Sequence, residues 1–174
     1  QNGIMAFPMN KWNTPDIWSR HEDDGLVNQE HQNVHFTEDD NAEYVYIRIH
    51  NRGTKPYTTK DKSVTLYWAK SSIGLSYDDW KNKCNSLDDF YLGGRIGYAT
   101  LKNDILPGQS TIVKIVFRFE NQDLENVIND ENFDVCFLAV ISDLEYKNEI
   151  DTNDYGLARV WDNNNIVQRN NVFV

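Results

Sequence analysis

The sequence predicts an all-β protein, a two-layer antiparallel β-sandwich of about seven strands with one or two short helices in its connections. Three observations predict it. Four segments either alternate apolar and polar residues with a period of two or run apolar and β-branched without a break. Turn-forming residues separate these segments; Asn alone supplies 21 of the 174 residues, and Asn and Asp side chains close turns against their own backbone. No long amphipathic helix alternates with the strands, which removes a parallel α/β sheet.

Taken in order, Ile17-Trp18-Ser19 is a short strand. Glu43 to His50 sets Tyr44, Tyr46, Arg48 and His50 on one face and Val45, Ile47 and Ile49 on the other. Ser63 to Ala69 sets Val64, Leu66 and Trp68 against Ser63, Thr65 and Tyr67. A short helix is expected over 77–83, and a strand from Ile96 to Leu101 after Gly93-Gly94. Pro107-Gly108 turns the chain into Thr111 to Phe119, too β-branched for a helix of that length. A second short helix falls over 122–128. Phe133 to Ile141 has the near-continuous apolarity of a strand buried in a sandwich core, and Ile166 to Val174 is the last strand. Residues 1–42 differ in character, being polar and rich in Trp and His. The expected organisation is therefore an N-terminal arm over 1–42, packed on or beyond a sandwich over 43–174.

With 17 Lys+Arg against 27 Asp+Glu, the chain carries −10 at neutral pH, which argues against a nucleic-acid or anionic-membrane partner. The longest apolar run, Val135 to Ile141, has seven residues, far below the roughly 20 a spanning helix needs, so no membrane insertion is expected. Gln1 in place of Met reads as a processed or excised terminus. Cys84 and Cys136 would close a loop of about 50 residues if paired, whereas the apolar alternation around Cys136 suits a thiol packed as a small hydrophobe.

Candidate chemistry is thin. His31 and His35 stand four apart with His21 nearby, but the run His31-Gln32-Asn33-Val34-His35 lacks the glutamate of the zinc-protease motif, and a third ligand is undefined. Asp151-Thr152-Asn153-Asp154-Tyr155-Gly156 with Asp162 imitates a calcium loop but puts Tyr155 where an oxygen ligand belongs. Glu22-Asp23-Asp24 before Gly25 reads as an acidic turn. There is no Gly-x-Ser-x-Gly and no cysteine in a nucleophile setting, so neither an enzyme nor a cofactor is expected, with structural calcium the one candidate ion. The aromatics are the better lead. Trp68 belongs to a core strand, whereas Trp12, Trp18 and Trp80 lie in polar surroundings. At the surface these three would stack on a sugar ring or anchor a protein interface; the competing reading is that they pin the arm and the 71–94 insertion to the sandwich.

The run Tyr44-Val45-Tyr46-Ile47-Arg48-Ile49-His50-Asn51-Arg52-Gly53-Thr54-Lys55-Pro56 first reads as a strand ending at Asn51, with Gly53 supplying turn geometry. It also resembles the opening strand of CARDB-type domains, the bacterial cell-adhesion-related family of immunoglobulin-like sandwiches. Leu66-Tyr67-Trp68, Leu106-Pro107-Gly108-Gln109-Ser110 and Asn163-Asn164-Asn165-Ile166 resemble that family's later segments in the same order. Upstream, Pro15-Asp16-Ile17-Trp18, Asp24-Gly25 and His31-Gln32-Asn33 look like segments that precede such domains in secreted proteins of Bacteroidetes. The resemblance covers about residues 43–174 and implies a secreted or cell-surface accessory or adhesion role without catalytic residues. The expected function is a non-catalytic domain recognising protein or glycan. The alternative is a structural subunit joined through strand or arm exchange, and a metal- or carboxylate-dependent hydrolase ranks third.

Overall fold

The computed structural model describes residues 14–34, 42–70, 93–118, 133–143 and 166–173. Seven strands fall within them: β1 (Ile17–Arg20), β2 (Glu43–His50), β3 (Lys62–Lys70), β4 (Gly93–Thr100), β5 (Ser110–Phe117), β6 (Phe133–Asp143) and β7 (Ile166–Phe173). They form two sheets, ordered β1-β2-β5 and β4-β3-β6-β7, and every pairing is antiparallel. The expected β-sandwich is the observed one. In constant-type immunoglobulin sandwiches the fourth strand sits in the sheet of the first, second and fifth; here β4 lies beside β3 instead. No helix occurs among the described residues, and the helices expected over 77–83 and 122–128 lie outside them.

The core fills from alternate residues of facing strands. Val45, Ile47 and Ile49 of β2 and Ile115 and Phe117 of β5 meet Val64, Leu66 and Trp68 of β3 and Val135, Phe137 and Ala139 of β6. Phe117 and Phe137 cross edge to face with centroids 6.2 Å apart. The unbroken apolarity of β6 has a physical cause, because its other row, Cys136, Leu138 and Val140, is buried as well. Cys84 lies outside the described residues.

The described N-terminal residues, 14–34, are part of the sandwich itself. β1 hydrogen-bonds to β2 with Ile17 opposite Ile47, and both Ile17 and Val34 sit in the core. The division expected at residue 42 therefore cuts through a sheet. Across the sandwich, Arg169 of β7 spans to this strand: its Nη1 donates to the carbonyls of Thr14 (2.7 Å) and Ile17 (2.8 Å). Its surroundings lower its pKa from the ordinary arginine value, by desolvation.

One end of the sandwich is tied by Asn51. Its amide donates to the carbonyls of Lys55 (2.8 Å) and Ile105 (2.7 Å), and its Oδ1 accepts the Gly53 N–H at 2.9 Å. Its backbone binds Gly108 and Gln109, so the Asn-x-Gly and Pro-Gly runs are physically one corner. Gly53 contributes that N–H and not a left-handed backbone; Gly108, at φ 76°, takes that conformation.

Candidate functional site

The three-stranded sheet has two edges, β1 and β5, and an outer face built from Trp18 and Arg20, Tyr44, Tyr46 and Arg48, and Lys114 and Val116. The chain leaving β1 folds back over that face. Trp18 stacks on Tyr46 with centroids 5.6 Å apart and planes 11° apart, and its Nε1–H donates to the Gly25 carbonyl at 3.0 Å. Gly25 lies directly on the Tyr46 ring, where a Cβ would come within 2.3 Å of Cε2. Only a glycine permits that approach.

Charged groups lock the returning loop. Arg20 grips Asp24 with two parallel bonds, Nε to Oδ1 at 2.7 Å and Nη2 to Oδ2 at 2.8 Å, and its Nη1 donates to the Glu30 carbonyl. The pair raises the Arg20 pKa and lowers that of Asp24. Asp23 accepts from the Tyr46 hydroxyl (2.7 Å) and from Lys114 Nζ (2.5 Å), and the bond from Lys114 is the larger cause of its depressed pKa. Burial, then the Asp23 carboxylate, pushes the Tyr46 phenol up to about 12. Arg48 lies 5.2 Å over the Trp18 ring and donates to Gln29. Asp23 and Asp24 of the acidic turn are thus ion-pair partners.

Trp18 is therefore corrected from a surface aromatic to a buried one, 1% exposed, pinning the N-terminal segment to the sheet. Trp12, Trp80, His35 and the Asp151–Asp162 segment lie outside the described residues. The apolar side chains left most open on this side are Leu26 (64%) and Val27 (93%) at the loop tip.

His21 and His31 have structural partners. His21 Nδ1 meets both oxygens of the buried Glu43 at 3.0 and 3.3 Å. Ser19 N–H donates to His31 Nδ1 at 3.2 Å, which leaves the proton of the neutral ring on Nε2. Ser19 and His31 are the residue types of a nucleophile and its base. Yet Ser19 is fully buried and its hydroxyl donates to the Gln32 carbonyl at 2.7 Å, so the pair serves the fold. Among the described residues no group of three His, Cys, Asp or Glu is placed to hold a metal ion.

Two backbone bonds fix which residues face outward at the edges. Arg48 N–H donates to the Asp16 carbonyl and Asn51 N–H to the Gln109 carbonyl, so even-numbered β2 residues bond β1 and odd-numbered ones bond β5. The outward groups of the first edge belong to Ile17, Ser19 and His21, and the chain itself meets four of the six. Arg169 takes the Ile17 carbonyl, His31 and Gln32 take the Ser19 N–H and carbonyl, and Gln32 Oε1 accepts the His21 N–H at 3.1 Å. The β1 edge is capped by side chains and the returning loop. At the other edge the outward groups belong to Ser110, Ile112, Lys114 and Val116. Among the described residues, no strand or side chain meets their N–H and C=O groups. Val116 is 49% exposed. Sequence reasoning missed this edge because pairing partners are set by the fold and carry no local signal.

No family model matches the chain, and no curated protein matches it. Among solved structures, a crystal structure of hemolymph-type prophenoloxidase from a crustacean aligns with a TM-score of 0.46 at 10% identity, over 77% of this chain and 24% of that one. The chain thus spans about a quarter of that protein's length, and a likeness this remote carries no argument about function.

Proposed function

We propose that this domain is a non-catalytic protein-binding module that engages an extended partner segment by strand addition along β5. The observation that supports it is the contrast between the two edges of one sheet: four of the six outward groups of β1 are met from within the chain, whereas among the described residues nothing meets the outward N–H and C=O groups of Ser110, Ile112, Lys114 and Val116 on β5. A protein partner is favoured over a glycan because the described part of the chain buries its tryptophans, Trp18 and Trp68, and so offers no indole to a sugar ring. An arm-exchange version is disfavoured for residues 14–34, which are used up in β1, its cap and the core. The proposal includes a secreted or cell-surface setting, for which the CARDB-like sequence runs are the support.

The test is selection of linear peptides on the full chain, followed by binding to Val116→Pro. Proline at 116 deletes an outward N–H while removing no bond to β2. Selected peptides are expected to lose at least tenfold in affinity on that variant and to shift the amides of Ser110, Ile112, Lys114 and Val116 in wild-type spectra. Peptides that bind Val116→Pro equally well and leave those amides unmoved would overturn the proposal.

A further inference from the structure

We infer that the segment taken up at β5 is acidic, with carboxylates on the side chains that flank the edge; this rests on the strand-addition reading. The argument starts from charge placement. The chain as a whole carries −10, but residues 93–118, which hold both β4 and β5, carry Arg95, Lys102, Lys114 and Arg118 against Asp104 alone. Four cations against one carboxylate give this stretch +3, so the rest of the chain carries −13. The one carboxylate is occupied: Asp104 Oδ1 accepts the Thr59 N–H at 2.9 Å.

Position matters as much as the sum. β4 and β5 are the end strands of the two sheets, and they meet at one corner, where a Cβ on Gly97 would come within 3.2 Å of Ile115 Cγ2. The basic stretch therefore lies along the β4–β5 side of the sandwich, and the capped β1 edge lies on the other. Lys114 is one of the two inner positions among the four outward ones, and its Nζ also sits 5.7 Å from the Tyr44 ring centroid. A lysine there works as a filter. A neutral strand gains nothing from it, and a basic strand is repelled. An acidic strand gains a cross-strand ion pair in its place. The present partner of Lys114, Asp23, is half-exposed, so a second carboxylate reaches the same ammonium from solvent.

The experiment uses the intact chain and three blocked ten-residue peptides of alternating valine with glutamate, with serine and with lysine. Binding is read by amide shifts at low and at physiological salt. The valine–glutamate peptide is expected to bind about tenfold more tightly than the valine–lysine one, with serine between them. The gap should narrow as salt rises, and Lys114→Glu should reverse the order. Equal binding of all three, with shifts confined to Ser110, Ile112, Lys114 and Val116, would overturn the acidic preference and leave strand addition standing. Shifts elsewhere, or none with any peptide, would overturn both. Should Val116→Pro or Lys114→Glu fail to fold, the wild-type shift map and its salt dependence still decide between these outcomes.

Discussion

Gly25→Ala tests the packing of the N-terminal segment most directly. The new Cβ would lie 2.3, 2.4 and 2.8 Å from Cε2, Cδ2 and Cζ of Tyr46, against a carbon contact distance of about 3.5–4.0 Å. Tyr46 is fully buried and stacked on Trp18, so the loop must yield, by roughly 1 Å. That movement stretches the 3.0 Å bond from Trp18 Nε1 to the Gly25 carbonyl and the 2.7 Å bond from Tyr46 to Asp23. Overpacking costs about 1–3 kcal/mol, and a buried indole N–H left unmet adds about 1–3 kcal/mol at full loss. Because the loop shares the strain, a total of about 2–4 kcal/mol is expected. Urea denaturation followed by tryptophan fluorescence measures it. The same substitution in a Tyr46→Leu background, which lacks Cε2 and Cζ, should cost less than about 1 kcal/mol. A loss under about 0.5 kcal/mol in the wild-type background, or an equal loss in both, would refute the close-approach argument.

Two further outcomes follow from the same structure. Asn51→Ala removes three hydrogen bonds, leaving the Lys55 carbonyl and the Gly53 N–H without this partner while the Ile105 carbonyl keeps the Tyr57 N–H, and should cost about 1–3 kcal/mol in urea denaturation. Asn51→Asp should cost at least as much, since it turns a donor into an acceptor facing two carbonyl oxygens, and a wild-type midpoint for it would contradict the hub. The pH limits of stability should differ in origin. The Tyr46 phenol, raised to about 12, favours the neutral form in the fold; its contribution is whole below pH 10 and is lost as pH rises from 10 through 12, by about 1–3 kcal/mol. Asp23 and Asp24 are depressed, so their contribution holds above the ordinary aspartate range and is lost as pH falls through their folded values. Denaturation midpoints against pH check both limbs, and Tyr46→Phe should abolish the alkaline one.

The strands were legible because their signal is local. Glu43–His50 alternates in the sequence as it does in the sheet, and the Pro107-Gly108 turn fixes where β5 begins. Trp18 was not legible. Its neighbours Ser19 and Arg20 are polar, which suggests solvent, yet both are buried because 21–32 folds back and satisfies them with Asp24, Glu30, His31 and Gln32. No period or composition reports on a partner ten residues away that arrives by a turn. The one local hint was Gly25, placed in the acidic turn, whose missing side chain lets the turn lie on an aromatic ring. β6 was legible as buried, but sequence could not say that both its faces are covered, since a continuous apolar run fits a single deep face or two shallow ones equally well.

The open edge also sets a limit on what can bind there. A backbone hydrogen bond is worth about 0.5–1.5 kcal/mol net once both groups have left water. Four outward residues offer at most eight such bonds, so the ladder alone yields roughly 4–12 kcal/mol. Association costs about 4–15 kcal/mol in lost freedom and ordering. Backbone pairing at β5 therefore comes close to break-even for any extended chain, and side chains must decide which chain stays. The side chains that flank this edge are Lys114 and the exposed Val116, backed by a basic stretch in an otherwise acidic protein. The same arithmetic explains the capping of β1. Near break-even, any favourable side chain on a neighbour tips an edge that lacks a filter into pairing, and His31, Gln32 and Arg169 reduce that risk at β1 by taking backbone groups first.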